Sequence, residues 1–166
     1  LFKVAALLAM LFIKPQEFID RTMIIIESRL SMLRSNRLCY PVTSLSDIVF
    51  QIGTSLGISD LQAVLQESAL VDIEDIVRQR LEHCRAAGPF QMAHNADFDL
   101  ARLCYAAVRA LRPARVVETG VAYGVISAFI LQAMEVNRCG ELHSIDLPPL
   151  GPNAERFVGF AIPASL

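Results

Sequence analysis

"ARVVETGVAYGVIS", residues 114–127, decides how this chain is read. Two branched residues, Val116 and Val117, run into Glu118, and Gly120 and Gly124 follow before a long apolar segment. "RVVE" reads as a short buried strand. "SAFILQAMEVN" reads as a helix with an exposed edge at Gln132 and Glu135, and "RCG" as a turn. "ELHSIDLPP" is then a second short strand ending at Asp146. Strand, helix and strand in this order make a βαβ unit, with parallel strands and a right-handed crossover. Ligands of such sheets bind beyond the carboxyl ends of the strands. Glu118 and Asp146 both fall there.

The glycines sharpen the expectation. Gly120 permits a tight turn out of the strand, because a positive φ costs it little. Gly124 lets the first turn of the helix approach the strand, or a ligand approach the backbone. The helix amino terminus offers unpaired N–H groups and a partial positive charge. Asp146 stands where the second-strand acid of dinucleotide folds accepts the ribose hydroxyls. A nicotinamide fingerprint would read G-x-G-x-x-G, whereas this chain reads Glu118-x-Gly120-x-Ala122-x-Gly124. A carboxylate at the strand exit repels a pyrophosphate and attracts a cation. S-adenosylmethionine carries a sulfonium and an ammonium and no phosphate, so it suits the acid.

"VVETGVAYGVIS" followed by "GELHSIDLP" resembles motif I and the second-strand acid of the class I S-adenosylmethionine-dependent methyltransferases, in a subgroup with E-T-G-x-x-x-G and S-I-D-x-P signatures. The resemblance covers residues from about 112 to 150. It implies a Rossmann-like parallel sheet and a cofactor site drawn from Glu118, Thr119, Gly120, Ala122, Tyr123, Gly124 and Asp146. Glu118 lies near the methionine part, the Gly120–Gly124 backbone wraps the cofactor, and Asp146 holds the ribose. Ala122 replaces the middle glycine of the usual pattern but keeps a small residue. Tyr123 either packs on the cofactor or is a surface aromatic. The family's sheet has seven strands, and only its first two have counterparts here. The expectation is therefore of a chain truncated after the second strand, carrying half a cofactor cradle.

The rest of the chain sets bounds. Its 166 residues, 54% hydrophobic and 19% charged, suffice for one ordinary core. A formal net charge of −2 with scattered Lys and Arg gives no reason to expect nucleic acid. Cys39, Cys84, Cys104 and Cys139 lie far apart, with no C-x-x-C pair. That argues against a zinc site or a disulfide framework, and fits a cytoplasmic protein with mostly buried thiols and no metal. Ten uncharged residues, Val4–Ile13, stand between Lys3 and Lys14, about half of what a membrane-spanning helix needs. Residues 1–14 are thus read as a packing helix, with membrane-surface contact or a targeting remnant as alternatives.

Up to residue 112 the pattern is helical. "PQEFIDRTMIIIESRLSMLRSN" starts at Pro15, carries Phe18, Met23, Ile26 and Leu30 at helical spacing, and ends near Asn36. A connector follows, with one short helix after Ser46. "SDLQAVLQESAL" has a capping-box pattern at Ser59 and Gln62. "DIEDIVRQRLEHCRAAG" matches the helix dipole at both ends. "NADFDLARLCYAAVRALRP" sets Phe98, Leu100, Leu103, Ala107, Val108 and Leu111 on one apolar face before Pro113.

The expected architecture is α/β: a mainly helical region over 1–112, then the first βαβ unit of a Rossmann-like S-adenosylmethionine-binding domain over 113–166. The expected function is methyl transfer to a small-molecule acceptor. A nicotinamide-type oxidoreductase and a non-catalytic helical interaction module are the alternatives. A general base is not apparent. His94 and Asp97 precede motif I, and Asn95 or Asp97 also fits a helix cap. His143 alternates inward and reads as a core or sheet-face residue.

Overall fold

A computed structural model describes residues 9–34, 42–58, 60–85, 95–147 and 154–166. They divide into two compact units, one holding 9–34 and 42, the other 43–147 and 154–166.

In the first unit, α1 spans Pro15–Arg34. Proline suits a first helical position, where no N–H partner is needed. Glu17 accepts a hydrogen bond from Arg21 at 2.9 Å and pairs with Lys14 at 3.4 Å. Consecutive isoleucines cannot share one helix face, and Ile24, Ile25 and Ile26 are all exposed. Phe12 and Ile13, at the end of the apolar stretch, are exposed too, while residues 1–8 lie outside the described residues. No described helix is long and apolar enough to cross a membrane.

In the second unit, α2 (Leu45–Leu56) starts at Ser44, whose Oγ accepts the Asp47 N–H at 3.1 Å. The expected short helix is therefore a full three turns. The next helix, α3 (Leu61–Val64), has Asp60 at its N-cap, with no side-chain capping bond. Ser59 lies outside the described residues, and Gln62 donates instead to the Ser46 carbonyl at 3.1 Å. Residues 68–70, expected to close that helix, begin α4 (Ser68–Arg85). The reason is periodicity: Leu70 joins Ile73, Val77 and Leu81 in one buried stripe. Asp97 Oδ1 caps α5 (Phe98–Leu111) by accepting the Leu100 N–H at 2.8 Å. Its buried stripe is Ala101, Tyr105 and Val108, whereas Leu100 and Leu111, expected inside, are exposed. The face is set by Tyr105, which goes fully inside with its hydroxyl bonded to Glu67 at 2.5 Å.

Then come β1 (Arg115–Thr119), α6 (Val125–Asn137) and β2 (Glu141–Ile145), and the two strands pair in parallel. Among the described residues the chain is mostly helical with this two-stranded parallel sheet, a mixed α/β architecture. Helix α6 is apolar nearly all round and correspondingly central, burying Val125, Ala128, Phe129, Ala133 and Met134. Tyr105, Tyr123 and Phe129 are the largest fully buried side chains. The main core joins α4, α5 and α6 with Val116 and Leu142 of the strands. One core thus spans residue 112, the expected boundary between a helical region and the βαβ unit.

A polar brace ties these helices together. Arg109 donates to Glu67 at 2.8 Å and to Asn137 Oδ1, and Asn137 Nδ2 donates to the Val108 carbonyl at 2.8 Å. The Arg109 hydrogen bond carries the Glu67 carboxyl below its ordinary value, against the opposing effect of burial. Burial, followed by the Glu67 contact, pushes the Tyr105 phenol up. The opposite face of the sheet is open among the described residues: Val117 is 67% and Ile145 63% exposed.

Candidate functional site

The site is built where the two strands end. Glu118 stands opposite Ser144 and Thr119 opposite Ile145 in the ladder. The ladder runs one residue further, because the Gly120 N–H donates to the Ile145 carbonyl at 2.9 Å. Gly120 and Asp146 therefore leave the sheet side by side. Glu118 is buried, and its Oε2 accepts both the Ser127 hydroxyl at 2.7 Å and the Ser144 hydroxyl at 2.9 Å. Ser127 lies in the first turn of α6, so this carboxylate faces the positive end of a helix whose N-cap, Gly124, has no side chain to offer. Hydrogen bonds to a charged acceptor are the stronger kind, and two of them fix the carboxylate direction.

Asp146 is different. Its Oδ2 is buried and has no hydrogen-bond partner among the described residues. A buried acceptor without a donor raises the free energy of the folded chain. Gly120, bonded next to it, has φ +80°, and a Cβ there would meet nothing within 4 Å. Asp146 thus leaves the sheet with an unmatched acceptor, and the Gly120 backbone across from it is unobstructed where a side chain would stand.

The other expected residues fall as follows. Thr119 is exposed, and strand alternation puts its side chain on the face opposite Glu118. Ala122 adopts a left-handed φ of +48°, so the replaced glycine position is one where alanine is strained. Tyr123 is neither a surface aromatic nor an open platform. It is 0% exposed and meets Phe157 edge-on, with ring centroids 6.5 Å apart. Gly124 permits a close approach of chain distant in sequence. A Cβ there would lie 2.8 Å from Gly159 Cα and 2.9 Å from Ile162 Cγ1. What comes near is the segment after the 3₁₀ turn Ala154–Phe157.

His94 lies outside the described residues. Asp97 serves as a helix cap, and Asn95 Oδ1 accepts the Tyr123 N–H at 3.3 Å. His143 does not point into the core: it is exposed on the open sheet face, 3.4 Å from Glu141. Cys104 is partly buried, and burial first, with the Glu118 charge second, pushes its thiol up. Cys139 is exposed in its turn, and the Cys39 and Cys84 side chains lie outside the described residues. No three His, Cys, Asp or Glu side chains converge on a metal-sized site among the described residues.

Sequence reasoning missed Ser127, Ser144 and the closing segment. Ser144 had a legible signal, since parallel pairing sets it opposite Glu118. Ser127 and the closing segment had none. Two hollows lie away from the strand ends. One of about 310 Å³ runs beside Val49, Gly53 and Leu61. The other, of about 450 Å³, borders Glu74, Asp99 and Arg102. Burial raises the Glu74 carboxyl there, but hydrogen bonds from Arg102 and Arg78 outweigh it and carry the group below its ordinary value. That acid is already matched, and the Asp146 oxygen is not. No family model, curated protein or solved structure matches the chain.

Proposed function

We infer that the strand ends form part of an S-adenosylmethionine site, and that the protein is a Rossmann-like, class I methyltransferase acting on a small-molecule acceptor. The observation that carries this reading is the buried, unmatched oxygen of Asp146, the residue that follows β2. It is supported by the carboxylate of Glu118 two ladder positions back, held by Ser127 and Ser144. The residues fit the group: Asp146 would accept from the ribose hydroxyls, and the Gly120 backbone leaves room for close approach. Glu118 contributes negative potential toward a cationic ligand, where it would oppose a pyrophosphate.

When bound, the cofactor supplies a methyl group activated on a sulfonium. The residues of this chain bind and orient it. Ser127 and Ser144 hold the Glu118 carboxylate in one direction, and the buried surroundings exclude water from it.

Isothermal calorimetry with S-adenosylhomocysteine tests the reading. The wild-type protein should bind it, and Asp146→Ala should weaken binding by about 1–3 kcal/mol, the scale of a lost hydrogen bond to a charged group. Equal affinity in the two proteins would remove the ribose role. Tighter binding of NAD than of S-adenosylhomocysteine would favour the oxidoreductase instead.

A further inference from the structure

We propose that the C-terminal segment 157–162 is a latch that sets the glycine turn, and that Arg80, remote in sequence, is the positioning residue that fastens it. The latch itself stands on contacts alone; its consequence for ligand binding rests on the methyltransferase reading above.

The turn between β1 and α6 exposes two backbone carbonyls to this segment. Ala122 O accepts the Gly159 N–H at 3.0 Å, and Tyr123 O accepts the Ala161 N–H at 2.8 Å. A trans peptide points its carbonyl and its following N–H in opposite directions. Clasping these two carbonyls therefore orients the Tyr123 and Gly124 N–H groups, which donate to Asn95 Oδ1 at 3.3 Å and to the Val121 carbonyl at 2.7 Å. The turn needs such support, because Ala122 holds a φ of +48° that alanine avoids when free to relax.

Side chains close the same contact. Phe157 meets Tyr123 edge-on, and Ile162 lies against Gly124, where any side chain would collide with it. The segment is fastened from α4. Arg80 Nε and Nη2 both donate to the Phe160 carbonyl, at 3.0 and 2.8 Å, and the guanidinium lies over the Phe160 ring, 5.3 Å from its centroid. Arg80 thus grips the residue between Gly159 and Ala161, the two whose N–H groups hold the turn. Its influence on the strand ends runs through the latch.

The test compares wild type, Arg80→Ala and Arg80→Lys in the full-length protein, by amide hydrogen exchange and by calorimetry with S-adenosylhomocysteine. Arg80→Ala should speed exchange at the Gly159 and Ala161 amides by roughly tenfold, while interior amides of α6 such as that of Ala133 keep their rate. Affinity should fall by roughly three- to tenfold, with Arg80→Lys, which keeps a donor, lying between. Unchanged exchange at the two amides would overturn the latch. A uniform acceleration through α6 would overturn it as well, by making Arg80 a general stabiliser. Should Arg80→Ala not fold, Arg80→Lys carries the same comparison against wild type. Local acceleration in a protein that binds no S-adenosylhomocysteine would keep the latch and discard the methyltransferase reading. Local acceleration with unaltered affinity would discard the link from latch to ligand.

Discussion

Replacing Gly124 with alanine should destabilise the protein more than the same change at Gly120, although both glycines hold nearly the same backbone conformation. Their φ values are +84° and +80°. Left-handed backbone costs an L residue about 1–2 kcal/mol, and that contribution is common to both variants. The surroundings differ. A Cβ at Gly120 meets nothing within 4 Å, whereas at Gly124 it lies 2.8 Å from Gly159 Cα, a backbone atom that cannot rotate away. Relieving such overpacking adds about 1–3 kcal/mol. Gly124→Ala should therefore cost about 2–5 kcal/mol in all, and Gly120→Ala about 1–2 kcal/mol. The chain has no tryptophan, so urea unfolding is best followed by far-ultraviolet circular dichroism. With an m-value of about 2 kcal/mol per molar urea, the two midpoints should differ by about 0.5–1.5 M. Equal midpoints, or the lower one for Gly120→Ala, would mean that residues 159–162 do not pack on the turn.

Ala122→Gly should stabilise the protein by up to about 1 kcal/mol, because relief of left-handed strain exceeds the entropy that glycine adds to the unfolded chain. Calorimetry should show a rise of about 2–4 °C in the melting midpoint, and a fall would contradict the strained conformation. Ser127→Ala removes one of the two hydroxyls held by Glu118 and should cost about 1–3 kcal/mol. In a Glu118→Gln background the loss should shrink, and strict additivity of the two changes would deny the contact. Glu67 sets an acid limit. Its carboxyl is held below the ordinary glutamate value in the folded chain, chiefly by the Arg109 hydrogen bond. As pH falls, the unfolded chain takes up this proton first. The contribution of Glu67 is therefore complete above its unfolded value and is lost as pH drops through the lower folded value. Glu67→Gln should flatten that part of a stability–pH curve measured by urea titration, and an unchanged slope below about pH 4.5 would exclude the role.

Much of the local structure follows from residue order alone. Branched residues before Glu118, the apolar run after Gly124 and the turn at Cys139-Gly140 were enough to place two strands and the helix between them. Pro113, with Asn95 or Asp97 as the cap, bracketed α5 through capping and ring geometry. Adjacency at the strand ends was also legible, because parallel pairing carries both carboxyl ends to one side of a sheet. The strand directions and the Glu118–Asp146 neighbourhood belong to this part.

Three decisions were made by packing across long stretches of chain. The buried face of α5 turned on whether Tyr105 could bury its ring and still bond Glu67, 38 positions earlier. The partner of Gly124 turned on where a segment 35 residues later would settle, since a glycine permits close approach without naming what approaches. Most consequential is the contrast between the two acids. Ser127 and Ser144 converge on Glu118 and leave the Asp146 oxygen unmatched. A sequence lists donors and acceptors, but only the folded chain determines which of them find each other.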